Sequence, residues 1–198
     1  MKLTLDLAQT VIIGRFNKYI VTPGWLSDYK VCPDGDDADY GEPDYFLDES
    51  TFSYGGFEWE VGANRLGVSS GLGGVDCGAV ASRVLALLSH TPVDAVGNNF
   101  ILYCSADDWG SRPRPLLTAE GVNPVPSQSR WVGAFPSRAG ASVEIDLTVI
   151  PKALVILRLN YDRRTANSQE ACEASDRFLH DYNDARILVT DLFQIELP

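Results

Sequence analysis

Four carboxylates occupy alternating positions in two strand-like segments of the sequence. Glu58 and Glu60 alternate with aromatic and aliphatic residues, and Glu144 and Asp146 do the same further along the chain. Paired carboxylates in such segments can act as a general acid and base, or can bind a metal ion. The same alternation is typical of the solvated side of a half-buried sheet. We favour the solvated face, so a metal-dependent enzyme using these carboxylates is the least favoured function.

Residues 28–50 form an acidic segment. They contain nine acids against the single base Lys30, so this segment carries −8 of the formal net charge of −11. The acids do not follow the ligand order of an EF-hand, because Ala38 and Asp39 occupy positions that require a ligand and a glycine. Aromatic residues interrupt the acids, and this mixture favours docking on a basic protein surface. The predicted partner-binding residues are Asp34, Asp36, Asp37, Asp39, Tyr40, Glu42, Asp44, Tyr45 and Phe46.

The glycine-rich stretch at residues 71–78 lies between a predicted strand and a predicted helix, where free backbone N–H groups can bind an anion. It does not match a dinucleotide fingerprint, because Asp76 stands where the third glycine is required. A phosphate loop would require a lysine that this stretch lacks. We interpret Asp76 as the N-cap of the following helix, and the sequence predicts no cofactor.

The cysteines and histidines show no catalytic or metal-binding spacing. The four cysteines are widely separated, form no C-x-x-C pair and share no ligand spacing with His90 or His180. No serine lies in the nucleophile elbow of a hydrolase. These patterns predict free thiols, a reducing cytoplasm and a protein that is not an enzyme. No apolar run has the length of a signal peptide core or a membrane span, so we expect no membrane partner.

Arginines and aromatic residues in the second half of the chain suggest a different surface. The overall charge argues against nucleic acid, because such binding requires Lys and Arg to displace counterions. The chain outside residues 28–50 is close to neutral, however, so a local basic patch stays open. Trp131 and Tyr161 are the aromatic residues that would stack on bases. The arginines of this patch are Arg112, Arg114, Arg130, Arg138, Arg158, Arg163 and Arg164.

Hydrophobic periodicity predicts the elements that must position these residues. Alternation predicts hairpins at residues 57–70 and 143–159, the second around a turn at residues 151–152. Apolar residues at i, i+3 and i+4 predict a buried helix at residues 76–88 and a last helix at residues 176–196. Thr22 and Pro23 are a helix cap and a first helical residue.

These elements predict one α+β domain spanning residues 1–198. Its antiparallel sheet would have about seven to eight strands, with two long helices packed on one face. The element order is similar in residues 1–90 and 94–198, so the sequence leaves open whether they are pseudo-repeats of a β-α-β(n)-α unit. Two such units side by side resemble the saddle of TATA-binding-protein-like folds.

Residues 88–100, with the sequence LSHTPVDAVGNNF, resemble a segment of uncharacterised bacterial proteins of similar size. This resemblance implies no activity. The leading prediction is a non-enzymatic protein-binding or assembly module, which contacts a basic partner or its own copy through the acidic segment or a sheet face. The alternative is a nucleic-acid or nucleotide binder on a duplicated sheet.

Overall fold

The fold is α+β and is built on one antiparallel sheet, as the sequence predicts. The computed structural model describes residues 3–32, 44–46, 49–71, 75–109, 129–150 and 152–193. The strands are β1 (Thr4–Gly14), β2 (Asp44–Phe46), β3 (Glu49–Tyr54), β4 (Phe57–Gly62), β5 (Arg65–Ser70), β6 (Val93–Ser105), β7 (Ser129–Arg138), β8 (Ala141–Ile150) and β9 (Leu154–Arg164). The helices are α1 (Pro23–Asp28), α2 (Cys77–Leu87), α3 (Ala106–Trp109), α4 (Ser168–Ser175) and α5 (Phe178–Phe193).

The strands lie in the order β2-β3-β4-β5-β1-β6-β9-β8-β7, and every neighbouring pair is antiparallel. Strands β1 and β6 pair along most of their length and lie side by side near the centre of the sheet. Strand β1 is followed by α1, then by strands β2 to β5, then by α2. Strand β6 is followed by α3, then by strands β7 to β9, then by helices α4 and α5. A duplicated unit would give this order, and the duplication itself stays a prediction.

Local side-chain caps explain where the helices begin. Thr22 accepts a hydrogen bond from the N–H of Trp25, and Pro23 follows as the first helical residue. Asp76 accepts from the N–H of Ala79 at 2.9 Å, which confirms its predicted role as the N-cap of α2. The last predicted helix is instead two helices, because Asn167 caps an earlier start at α4 and α5 begins only at Phe178.

Helices α2, α4 and α5 pack on one face of the sheet. The ring of Phe100 on β6 lies 5.2 Å from that of Phe178 on α5, and Cys77 on α2 donates to the backbone oxygen of Ala8. A Cβ added at Gly78 would overlap the backbone oxygen of Ser175, so α2 and α4 touch backbone to backbone. Since side chains alternate along a strand, the residues between these positions face the other side.

We call that other side the open face. It carries Gln9 of β1, Asn99 of β6, Asn160 of β9 and the residues in register with them. In the described part of the chain, no helix packs against it.

Strands β2 and β3 were not predicted from the sequence, which showed only the acidic segment in residues 28–50. Asp44, Tyr45 and Phe46 form β2 and pair with β3 at one edge of the sheet. In β3, buried and exposed positions do alternate, but its buried positions include Ser50 alongside Phe52. The hydrophobic pattern is therefore too weak to show the strand in the sequence.

Candidate functional site

The four carboxylates of the candidate acid–base site do not meet. Glu58 and Glu60 lie on β4, whereas Glu144 and Asp146 lie on β8. Both pairs lie on the open face, but five inter-strand spacings separate them, which is about 24 Å. Among the described residues, no three His, Cys, Asp or Glu side chains are grouped so that they could hold a metal ion.

Three of these four carboxylates have local partners instead. Glu58 accepts a hydrogen bond from Ser53 at 2.7 Å, and Glu60 lies 3.2 Å from the guanidinium of Arg65. Asp146 accepts from Thr148 at 3.3 Å. These contacts fit the solvated sheet face that the alternation favours.

A row of three carboxamide side chains crosses the middle of the open face. Gln9 on β1 is in register with Asn99 on β6, which is in register with Asn160 on β9. Glu144 on β8 continues the row. We call Gln9, Asn99 and Asn160 the amide row. No motif in the sequence points to it, because its members come from three strands and meet only through strand register.

The amide row lines a pocket of about 210 Å³. This volume is below the roughly 300 Å³ at which sites for drug-sized ligands begin, so it suits one ring-sized group. The side-chain oxygen Oδ1 of Asn160 is buried, and among the described residues it has no hydrogen-bond partner. The pocket is lined by Gln9, Asn99, Phe100, Ile101, Glu144, Asp146, Arg158, Leu159 and Asn160.

Arg158 and Tyr103 extend this site over the open face. The side chain of Arg158 is 47% exposed, and its guanidinium lies 3.9 Å from the carboxylate of Asp146. Tyr103 is 37% exposed and lies four residues from Asn99 along β6, which is about 13 Å. The open face therefore combines an amide pocket, an arginine and an exposed aromatic ring.

A buried polar network lies behind the amide row, on the helix side of the same strands. Thr10 donates to Asn98 at 2.9 Å, and Asn98 donates to Asp181 of α5 at 2.8 Å. Arg163 of β9 completes the network with two hydrogen bonds to Asp181. Thr10 and Asn98 are the direct neighbours of Gln9 and Asn99, so the network holds the central strands in the register that forms the row.

The predicted arginine patch is divided between the two sides of the sheet. Arg138 and Arg163 turn to the helix side, where Arg138 lies 2.8 Å from Asp184. Arg158 and Arg164 alternate with Arg163 along β9 and belong to the open face. Residues 112 and 114, and the side chain of residue 130, lie outside the described residues.

Tyr161 cannot serve as a base-stacking residue. Its ring is fully buried on the helix side, 6.1 Å from that of Phe100, and its hydroxyl donates to Asp184 at 2.8 Å. Burial, reinforced by the bond to Asp184, raises the pKa of the Tyr161 phenol. The side chain of Trp131, the other predicted stacking residue, lies outside the described residues.

The predicted partner-binding residues lie mostly outside the described residues. Asp34, Asp36, Asp37, Asp39, Tyr40 and Glu42 fall there. Asp44, Tyr45 and Phe46 form the edge strand β2, six strand positions from β9. The structure therefore does not bring this set together with the amide row.

The remaining candidates form no site among the residues that the structure describes. His180 is 58% exposed and lies 3.8 Å from Asp181, and His90 is exposed after the end of α2. Residues 72–74 of the glycine-rich stretch lie outside the described residues. Among the helices that the structure describes, none combines the length and hydrophobicity needed to cross a bilayer.

Comparison with known proteins finds similarity among solved structures. No family model and no curated protein matches the chain. A solved structure of a rolling circle replication initiator protein from Geobacillus stearothermophilus matches with a TM-score of 0.34 and 7% sequence identity. The match covers 91% of this chain and 79% of that one.

This comparison corrects the leading prediction from the sequence. The matched protein is a replication initiator, so the comparison gives no support to a protein-binding or assembly module. We therefore do not retain the protein-binding module. A TM-score of 0.34 transfers neither a fold nor an activity to this chain.

Proposed function

We propose that the protein binds single-stranded nucleic acid on the open face, with one base held in the pocket of the amide row. The observation that supports this most directly is the row itself. Gln9, Asn99 and Asn160 are in register on three adjacent strands, and the Oδ1 atom of Asn160 is buried without a hydrogen-bond partner among the described residues.

Carboxamides suit the edges of nucleobases. Each offers an N–H₂ donor and a carbonyl acceptor, and each base edge presents donors and acceptors side by side. A buried acceptor without a partner costs free energy, which a ligand donor recovers when it binds. In Asn160 that acceptor is already in place before any ligand arrives.

The pocket favours an unpaired base. Its volume of about 210 Å³ accepts a single ring system and leaves the rest of a chain on the sheet surface. A base within a duplex has its Watson–Crick edge occupied, whereas an unpaired base presents that edge to a protein. Tyr103, exposed on the same face, provides a surface on which a neighbouring base can stack.

Charge on the open face is mixed, and this sets the expected mode of binding. Arg158 and Arg164 lie among the acids Glu144, Asp146 and Asp162. This surface therefore attracts phosphate groups only weakly, and most of the binding affinity must come from contacts with the bases. With two arginines contacting phosphates, the slope of log affinity against log salt would be roughly −1 to −2.

The test is a binding titration with short labelled RNA homopolymers, followed by fluorescence anisotropy. Asn160→Leu keeps the side-chain volume but removes its donor and acceptor, and we expect binding about 5- to 150-fold weaker. Thr51→Ala, a change on the exposed part of β3 away from the pocket, should leave the affinity unchanged. Circular dichroism confirms that each variant is folded.

Two results would reject the proposed function. One is the absence of binding to any of the four homopolymers at low salt. The other is an affinity of Asn160→Leu equal to that of the wild-type protein.

A further inference from the structure

The pocket of the amide row has an acidic wall on β8. Glu144 and Asp146 both line the pocket, and they lie two residues apart, which is about 7 Å along the strand. Asp146 accepts a hydrogen bond from Thr148, and its carboxylate lies 3.9 Å from the guanidinium of Arg158. Glu144 is exposed, and its carboxylate has no hydrogen bond or ion pair among the described residues. Glu144 therefore presents an unengaged acceptor to the pocket.

Glu144 lies beside the carboxamides of the amide row. It is in register with Asn160 on the neighbouring strand β9, and Asn160 is in register with Asn99 on β6. Side chains directly opposite each other in an antiparallel pair have Cβ atoms about 5 Å apart, so one planar ligand can contact a carboxylate and a carboxamide together. An ionised carboxylate only accepts hydrogen bonds, whereas a carboxamide also donates through its N–H₂ group. The pocket therefore places a group with two acceptor oxygens next to donors.

Guanine is the base whose Watson–Crick edge matches this arrangement. Its N1–H and N2–H₂ groups are adjacent donors, and its O6 atom is the acceptor next to them. A carboxylate can accept from both donors while a carboxamide N–H₂ group donates to O6. Adenine, cytosine and uracil each have an acceptor beside the donor on that edge, and this acceptor would face a carboxylate oxygen. Such a contact is repulsive and leaves two acceptors without a hydrogen bond, so these bases fit less well.

We infer that Glu144 makes this pocket selective for guanine, so that the protein binds single-stranded nucleic acid at an unpaired guanine. This inference rests on the proposed function, because Glu144 distinguishes bases only when a base enters the pocket. Carboxamides offer both a donor and an acceptor and can therefore pair with any of the four bases. The carboxylate of Glu144 offers acceptors alone, and this difference provides the selectivity.

The test uses short oligouridine RNAs of one length in which only the central nucleotide varies, and fluorescence anisotropy measures binding. The wild-type protein should bind the RNA with a central guanosine about 5- to 150-fold more tightly than those with adenosine, cytidine or uridine. This is the range expected for one bidentate contact with a base edge. A central inosine keeps N1–H but lacks the N2 amino group, so its affinity should lie between that of guanosine and those of the other bases.

Glu144→Gln keeps the shape of the side chain but replaces one acceptor oxygen with an N–H₂ donor. It should abolish the preference for guanosine, and the affinity for oligouridine should not fall, because a carboxamide can pair with the edge of uracil. Glu58→Gln is the matched control, since it makes the same change at an exposed acid of β4 outside the pocket. It should leave the preference for guanosine intact. Circular dichroism confirms that both variants are folded.

The outcomes separate this inference from the proposed function. Equal binding of all the RNAs by the wild-type protein, with each weakened by Asn160→Leu, would overturn the selectivity for guanine and leave the nucleic-acid function standing. A preference for guanosine that persists in Glu144→Gln, or an inosine that binds as tightly as guanosine, would also overturn it. Failure to bind any oligonucleotide would reject the proposed function and the selectivity together.

Discussion

Asp181 on α5 accepts hydrogen bonds from both terminal nitrogens of Arg163 on β9, at 2.6 and 2.7 Å. The side chain of Arg163 is 8% exposed and that of Asp181 is fully buried. This bidentate ion pair links α5 to β9, the strand that carries Asn160. Asn98 on β6 donates a further hydrogen bond to Asp181. The site on the open face is therefore supported by a polar contact on the opposite side of the sheet.

Replacing one member of this pair should reduce the free energy of unfolding more than replacing both members. Asp181→Leu leaves a buried guanidinium without its counter-charge, and we expect a loss of about 3–5 kcal/mol in the free energy of unfolding. The double variant Asp181→Leu with Arg163→Met should recover much of that loss, because no buried charge remains. Urea denaturation of the two single variants and the double variant measures the coupling, and strictly additive losses would contradict it.

The hydroxyl of Thr10 should contribute to stability through its bond to Asn98. Thr10→Val keeps the shape of the side chain but leaves the Asn98 oxygen without this donor, so we expect a loss of about 1–3 kcal/mol. Thr51→Val makes the same change at an exposed position of β3 and should alter stability by less than about 0.5 kcal/mol. Equal losses in the two variants, measured by urea denaturation, would show that the buried bond does not stabilise the fold.

Gly78 should be a site where one methyl group is not tolerated. A Cβ there would overlap the backbone oxygen of Ser175, so Gly78→Ala must push α2 and α4 apart, and we expect a loss of about 1–3 kcal/mol. Gly24 is also helical, but a Cβ there would have no atom within 4 Å. Gly24→Ala should raise stability by up to about 1 kcal/mol. Thermal denaturation should shift in opposite directions for the two variants, and a shift in the same direction would contradict the predicted contact.

Two buried thiols should make stability fall at alkaline pH. Burial raises the pKa of Cys32 to about 11 and that of Cys77 to about 12, from an ordinary value of 9.0. Above about pH 9 the unfolded chain releases these protons while the folded protein keeps them, so the free energy of unfolding decreases as pH rises. Each thiol contributes up to about 1.4 kcal/mol per pH unit between pH 9 and its folded pKa.

The thiol contribution is isolated by comparison with the double variant Cys32→Ala and Cys77→Ala. Urea denaturation of both proteins from about pH 8 to about pH 10.5 covers the range in which the unfolded thiols ionise. The wild-type protein should lose stability more steeply with pH than the variant. Parallel pH profiles would show that the two thiols ionise alike in the folded and unfolded chains.

Much of the fold was accessible from the sequence because its determinants are local. The hairpin of β8 and β9 follows from alternation in adjacent segments, and the start of α2 follows from Asp76, which caps a backbone N–H three residues away. The helix periodicity of residues 77–85 likewise depends on neighbours one turn apart. Strand β3 was missed because Ser50 occupies one of its buried positions and weakens the alternation.

The candidate site was decided by tertiary structure. Gln9, Asn99 and Asn160 are far apart in the chain, and they form a row only because β1, β6 and β9 pair in a particular register. A shift of one residue in that register would turn a side chain to the opposite face, so no pattern within one strand predicts the row. The same pairing separates the carboxylates that looked alike in sequence, because it places β4 and β8 five strand spacings apart. The sequence by itself determined an α+β chain with an antiparallel sheet, and the order and register of its strands decided which side chains share a site.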